Sequence, residues 1–272
     1  KTTNDFHRYD ESRLRNDYFR VMLGNLDLKE EIVYAISRYD YAHAYKLAQR
    51  LNDAGSKLIE LLYIMAERRE LNIRPAMECQ LEIRNDFQLF CHESEEDEQL
   101  ANYLYDLEAK LKNEQVIDFI RAVSPAIYRI FMRLIKMEIP DIESYIHNSR
   151  EASYDRWNFE KMKNTGHPIL STFHAESTVH SSSLASLILL LDLSEQVKIM
   201  VKELRKLEKS VRNPLAHLIK HFDEEELYST TGFSSQFFME ILILLAQATG
   251  ITYDKEQFYF DRVNQVIKTF LD

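Results

Sequence analysis

The chain has 272 residues, 45% of them hydrophobic and 29% charged, which fits a globular protein with one large domain or two smaller ones. Its formal net charge of -10 argues against a protein that coats nucleic acid through its overall field, so any such role needs a local basic patch. Only five glycines and five prolines mark turns, which favours long helices over many short strands. We therefore predict an all-α protein, with a helical hairpin domain (residues 1–113) followed by a helical bundle (residues 114–272).

The N-terminal part has the apolar spacing of successive amphipathic helices. Asp40 has the position of an N-cap, and Ser94 begins a Ser-Glu-Glu-Asp stretch that resembles a capping box. We find no strict repeat in this part. The predicted helices cover residues 28–36, 41–51, 58–66, 75–91 and 95–111.

The C-terminal part reads as longer and more apolar helices. Ser124-Pro125 is predicted to interrupt the first of them, an acidic loop is predicted at 223–226, and Gly250 is predicted to stop a helix. The only strand pattern is a possible hairpin near residues 169–179. The predicted helices cover residues 116–137, 141–148, 184–193, 194–222, 234–248 and 255–271.

Several classes of site lack their signals. Cys79 and Cys91 are too few for a disulfide framework or a zinc site, and they suit a reducing cytosol. No apolar run approaches the roughly 20 residues of a membrane helix, and no Gly-rich turn marks a nucleotide-binding loop.

His167, His174 and His180 are either metal ligands or loop histidines. We favour the second reading and predict no metal, since no carboxylate or cysteine stands beside them at ligand spacing. The chain begins at Lys1 with no signal-peptide pattern, so a cytoplasmic location and a missing upstream domain are expectations.

The stretch from Ser194 to Phe222 combines three signals. An apolar stripe recurs at steps of three and four, as in a helix with one buried face. The stretch ends in Arg-Asn-Pro-Leu-Ala-His, residues 212–217. Beside the apolar stripe runs a basic one, which could bind an RNA backbone: Lys198, Lys202, Arg205 and Lys209.

An Arg and a His five positions apart have little specificity by themselves. Arg38 and His43 have the same spacing, and we interpret them as surface residues. In one straight helix Arg212 and His217 lie about 140° apart around the axis. Either Pro214 breaks or kinks the helix, or the site combines groups from two copies of the chain.

The segment VRNPLAH, followed by an acidic turn and TGFSS, resembles the active-site segment of HEPN-domain ribonucleases. Their signature is an Arg followed by a polar residue and then by a His, with four to six residues in total between the Arg and the His. The chain is most similar to the ancillary ribonucleases of type III-A CRISPR systems, in which a nucleotide-sensing CARF domain precedes a helical domain and a C-terminal HEPN domain. The segment SRYDYAHAYKLAQRLND resembles the start of that helical domain. The present sequence has no sensor-like α/β segment.

This resemblance implies metal-independent cleavage of single-stranded RNA by 2′-OH attack, with no cofactor. His217 would be the general base or acid, Arg212 would bind phosphoryl oxygens, and Asn213 would orient the imidazole or contact the phosphate. The resemblance also implies a homodimer with a shared cleft, and activation by a cyclic oligoadenylate through a sensor domain not in this chain. A non-catalytic helical scaffold and a toxin-type HEPN ribonuclease are the alternatives.

Overall fold

The computed structural model describes residues 3–79, 87–147, 155–217 and 219–272, with their side chains except at residues 3–10, 212–214, 216 and 217. Helices dominate these residues, and the all-α prediction is confirmed. The chain divides into two compact units, residues 1–102 with 254–272, and residues 103–253. The functional division at residue 113 stays a prediction, because compactness alone does not assign a function.

In the first unit, short helices pack around the C-terminal part of one long helix. Tyr41 donates to Asn264 Oδ1 (2.7 Å), and Asn264 Nδ2 donates to the Ile36 carbonyl (2.8 Å), so one buried chain of hydrogen bonds joins three helices. Its helices are α1 (Thr3–Ser37), α2 (Tyr41–Ala48), α3 (Ser56–Arg69), α4 (Arg74–Glu78), the first part of α5 (Glu95–Lys112), and α12 (Tyr259–Leu271).

Two predicted features of this unit have clear outcomes. Asp40 is the N-cap of α2, because its carboxylate accepts a hydrogen bond from the His43 amide (3.1 Å). The helix predicted to run from Pro75 to Cys91 is wrong in its last part. Helix α4 ends at Glu78, and residues 87–91 are not helical, while residues 80–86 lie outside the described part.

The second unit is organised around one buried helix, α6 (Val116–Glu138), which packs against α8, α9 and α11. Pro125 lies inside this helix, so the predicted interruption at Ser124-Pro125 is wrong. The other helices are the last part of α5, α7 (Phe159–Lys163), α8 (Ser181–Ile188), α9 (Glu195–His217), α10 (Glu224–Thr231), α11 (Ser235–Ala248), and two 3₁₀ helices (Ile142–Tyr145 and Leu170–Thr172).

The small sheet is not where the sequence predicts it. Strands β1 (Ile146–His147) and β2 (Arg156–Trp157) pair antiparallel, with Ile146 opposite Trp157. The predicted hairpin near residues 169–179 is wrong, since a 3₁₀ helix occupies its first part and Thr178 forms a single bridge to Arg156. Strands of two residues are too short to show an alternating pattern in the sequence.

The acidic stretch 223–226 is the start of α10 and not the predicted loop. The Asp223 carboxylate caps this helix by accepting from the Glu226 amide (3.0 Å). That bond, followed by one from His221, lowers the pKa of Asp223 below its ordinary value. Three further acidic residues occupy the first turn of the helix, where the macrodipole favours negative charge.

Candidate active site

Helix α9 carries the candidate site, and its apolar face packs against the other helices of the second unit. Val201, Leu204, Leu207 and Val211 are fully buried, and the helix packs against α6, α8, α10 and α11. Ser194 caps its start by accepting from the Val197 amide (3.2 Å). The amphipathic pattern therefore predicted both the helix and its buried face correctly.

The backbone of α9 stays helical through Pro214 to His217. A helix break at Pro214 is thereby excluded, and positions 212 and 217 lie about 140° apart around a continuous helix. The side chains of Arg212, Asn213 and His217 lie outside the described residues, so their catalytic roles stay predictions.

The predicted extension of this helix to Phe222 is wrong. Helix α9 ends at His217, and residues 219–223 are not helical, while Leu218 lies outside the described part. His221 therefore does not continue the helical row of Asn213 and His217. Its side chain is 84% exposed, and its Nε2 lies 3.2 Å from Asp223 Oδ2.

Some side chains of the basic stripe are exposed, and others are partly buried by contacts within the second unit. Lys202 and Lys209 are exposed, and Lys198 is half-buried. Sequence reasoning missed Lys206, which is also exposed and has its Nζ 5.6 Å from the centre of the Phe233 ring. Its spacing of four residues from Lys202 is the signal that would have identified it.

Arg205 differs from the lysines because it binds within its own unit. Its Nη1 donates to Ser181 Oγ and to Glu208 Oε1, both at 3.0 Å. Glu208 is only 4% exposed, and it also accepts from Ser124 Oγ (3.2 Å). Sequence reasoning missed this carboxylate. A helical projection would have found it, because position 208 falls within the apolar stripe, between the directions of Leu204 and Val201.

Two of the three histidines considered as metal ligands have structural contacts. His167 Nδ1 accepts from the amides of Ile169 (3.2 Å) and Leu170 (3.3 Å). His180 caps α8 and pairs with Glu176 (2.7 Å). Across the described ranges, no group of three or more His, Cys, Asp or Glu side chains is placed to hold a metal ion.

Among the described residues, no helix combines the length and the apolar character that crossing a membrane requires.

Known proteins resemble this chain in sequence family and in fold. The family model described as the Cas_Csm6 HEPN domain matches residues 89–268, which is more than half of the chain. The solved structure of Enterococcus italicus Csm6 bound to cyclic hexa-2'-fluoro-hexa-dAMP matches with a TM-score of 0.65 and 13% sequence identity. That match covers 90% of this chain and 57% of the Enterococcus chain, and at this identity it shows the fold alone. No curated protein matches the chain significantly by sequence.

Proposed function

The chain belongs to the Csm6 HEPN family of type III CRISPR ribonucleases, and we propose that it cleaves single-stranded RNA without a metal ion in antiviral defence. Family membership confirms the resemblance inferred from VRNPLAH and assigns the chain to the endoribonucleases. The metal independence, the composite site and the activator are our proposals. The metal independence rests on the resemblance to HEPN ribonucleases, the composite site rests on the geometry of α9, and the activator rests on the ligand of the Enterococcus structure.

The proposed reaction begins with attack of a ribose 2′-OH on the adjacent phosphate. The 2′ oxygen loses its proton and bonds to phosphorus, and the 5′ oxygen departs with a proton, which leaves a 2′,3′-cyclic phosphate. His217 can exchange these protons at neutral pH because an ordinary histidine has a pKa near 6.5. Arg212 offers a planar fork of donors to the phosphoryl oxygens, where charge develops. Asn213 lies one helical turn before His217 and orients its imidazole or contacts the phosphate.

The observation that carries the proposal of a composite site is the continuity of α9 through Pro214. Because successive residues of a continuous helix advance by about 100°, positions 212 and 217 stay about 140° apart, and a single copy does not present both to one phosphate. One histidine also cannot easily serve both the attacking and the leaving oxygen on opposite sides of phosphorus. A homodimer supplies two Arg212 and two His217 to one cleft and so meets both requirements.

The regulation of this activity belongs to the same proposal. The Enterococcus Csm6 was solved with a cyclic oligoadenylate analogue, and the present chain spans 57% of that protein's length. We place the activator on an upstream sensor domain outside this sequence. In this proposal residues 1–113 link that domain to the ribonuclease domain at residues 114–272, and the protein acts in the cytoplasm.

The chain is expected to cleave a fluorophore-quenched single-stranded RNA in excess EDTA. It should leave intact the same oligonucleotide with 2′-deoxyribose at every position, because the attacking hydroxyl is then missing. Product ends are identified by mass spectrometry, and the 5′ fragment should carry a cyclic phosphate. Loss of RNA cleavage in EDTA, or cleavage of the deoxy substrate, would contradict the proposed chemistry. Absence of any cleavage fits either a helical scaffold or a ribonuclease that needs its upstream sensor domain and activator.

The exposed lysines of α9 are expected to bind the RNA backbone. The double variant Lys202→Ala, Lys209→Ala should weaken RNA binding and reduce the slope of log K against log salt concentration by about 1.4, since each phosphate contact contributes about 0.7. Binding is measured by fluorescence anisotropy at several salt concentrations.

A matched control replaces Lys46 and Lys255, two exposed lysines of the first unit. This double variant has the same net charge as the test variant, and its salt slope should equal that of the wild type. If both double variants change the slope equally, RNA binding depends on overall charge and the basic stripe has no special role.

A further inference from the structure

We infer that a cavity between α6 and α9 binds a guanine base of the RNA, next to the phosphate that is cleaved. This inference rests on the proposed ribonuclease function. The cavity has a volume of about 480 Å³, within the range of about 300–1,000 Å³ typical of small-ligand pockets. Its walls are mainly apolar, as the flat faces of a nucleobase require: Ile120, Val123, Leu207, Val211 and Leu215.

Among the polar residues that line the cavity, Glu208 supplies a pair of acceptors. Glu208 is 4% exposed, its Oε1 accepts from Arg205 (3.0 Å), and its Oε2 accepts from Ser124 (3.2 Å). A carboxylate has about four lone-pair positions, so each oxygen retains the capacity to accept one more hydrogen bond. The cavity therefore presents two adjacent acceptors inside an apolar pocket.

Guanine fits this pair of acceptors better than the other bases do. Its Watson–Crick edge carries N1–H and N2–H, two parallel donors that match the two oxygens of one carboxylate. Adenine, cytosine and uracil each place an acceptor beside their donor on that edge, and this acceptor would face a carboxylate oxygen. Because an unpaired polar group in a buried site is costly, such a pocket discriminates strongly between these patterns.

The position of the cavity on α9 connects it to the proposed reaction. Glu208 lies one turn before Arg212, and Val211 directly precedes it. By helical register Glu208, Val211 and Leu215 lie on the side of position 212 that faces away from position 217. A nucleotide whose phosphate binds Arg212 can thus place its base in the cavity and its scissile bond toward His217. Arg121 lines the cavity from α6 and is exposed, so it can bind the next phosphate.

The inference predicts a base preference that depends on Glu208. The substrates are two uridine-rich RNAs that contain a single purine each and differ only in whether this central purine is guanosine or adenosine. The wild type should cleave beside the guanosine with a kcat/KM about 10-fold to 100-fold higher than beside the adenosine. Glu208→Gln places an amide donor against the donors of guanine. It should remove most of this preference, because the Gln amide presents one acceptor and one donor and so also matches the donor and acceptor of adenine.

The control variant is Glu203→Gln, which makes the same change to a half-buried glutamate of α9 that does not line the cavity. It should keep the guanine preference. Binding of guanosine and adenosine 5′-monophosphates to the wild type, measured by calorimetry, gives a readout that depends on neither catalysis nor a variant's folding. We expect the guanosine nucleotide to bind at least about 10-fold more tightly.

Three results would overturn the inference that the cavity binds guanine. The first is equal affinity for the two nucleotides. The second is wild-type cleavage without a guanine preference, which would leave the proposed ribonuclease function intact. The third is conversion of a dimer to monomers by Glu208→Gln, measured by sedimentation, which would mean that a second copy fills the cavity. If the chain cleaves no RNA without its activator, nucleotide binding still decides whether the pocket exists.

Discussion

Replacement of His217 by alanine is expected to lower the rate of RNA cleavage in EDTA by at least about 100-fold, and by up to about 10,000-fold. This range is the usual contribution of a positioned general acid or base. No other residue of the motif titrates near neutral pH, since Arg212 remains charged and Asn213 does not ionise. Arg212→Ala is expected to cost about 100-fold to 1,000-fold, as does loss of one donor to a developing oxyanion.

The matched control for His217 is His43, which the chain itself provides. Arg38 and His43 repeat the spacing of Arg212 and His217, and His43 is exposed at the start of α2. His43→Ala should cleave RNA at the wild-type rate. Equal cleavage by wild type, His217→Ala and His43→Ala would place the activity at another site or in a contaminant. Circular dichroism checks that each variant keeps its helical content.

Mixing the two inactive variants tests the composite site. In a heterodimer of His217→Ala with Arg212→Ala, one copy supplies an intact histidine and the other an intact arginine. We expect the mixture to recover only part of the wild-type activity, because the shared cleft then contains one arginine and one histidine, which serves one of the two proton transfers. If each site is complete within one copy, the mixture stays as inactive as its components, even when energy transfer between differently labelled copies shows that the dimers have exchanged subunits.

The helices were largely predictable because the buried faces repeat with helical spacing. Helix α9 was located from its apolar stripe, and Asp40 and Ser234 were placed correctly at the starts of α2 and α11. The errors arose where a helix end or a contact depends on residues distant in sequence. The apolar spacing continues to Phe222 although α9 ends at His217, because Phe222 is buried without being helical.

The candidate site was only partly predictable for a related reason. The spacing of Arg212 and His217 is local, so it could be read from the sequence. The contacts of Arg205 with Ser181 and of Glu208 with Ser124 join α9 to α8 and α6. No local pattern reports such pairings, and the sequence therefore assigned Arg205 to a solvent-facing stripe. The burial of the Glu208 carboxylate likewise depends on how the helices of the second unit pack together.

Arg68→Ala is expected to produce the largest loss of stability in the first unit. The Arg68 side chain is fully buried, and its guanidinium donates to three acceptors on other segments. These are Glu98 Oε1 (2.6 Å), the Leu89 carbonyl (2.8 Å) and Asn102 Oδ1 (3.0 Å). Removal of one member of a buried ion pair typically costs about 3–5 kcal/mol, because the other charge stays buried without its partner.

The partners of Arg68 explain how its buried ion pair holds residues 89–92 in place. Glu98 also accepts from the amides of Cys91 (3.2 Å) and His92 (3.1 Å), so the pair holds residues 89–92 against α3 and α5. Tyr259 donates to the Leu89 carbonyl, and burial, which the Arg68 cation partly offsets, raises the pKa of Tyr259 to about 12. The tyrosine therefore stays protonated and keeps this hydrogen bond throughout the neutral range.

Arg69→Ala is the control, because Arg69 is half-buried and its guanidinium lies 5.9 Å from the centre of the Phe260 ring. It should cost less than Arg68→Ala, because the Arg69 side chain is only half-buried and its removal leaves no fully buried charge. Urea unfolding is followed by circular dichroism for the whole chain and by fluorescence of Trp157, the single tryptophan, for the second unit. Hydrogen exchange of α3 and α5 should accelerate in Arg68→Ala and stay unchanged in Arg69→Ala. Equal destabilisation by both variants would show that residues 89–92 are held by packing and not by the buried ion pair.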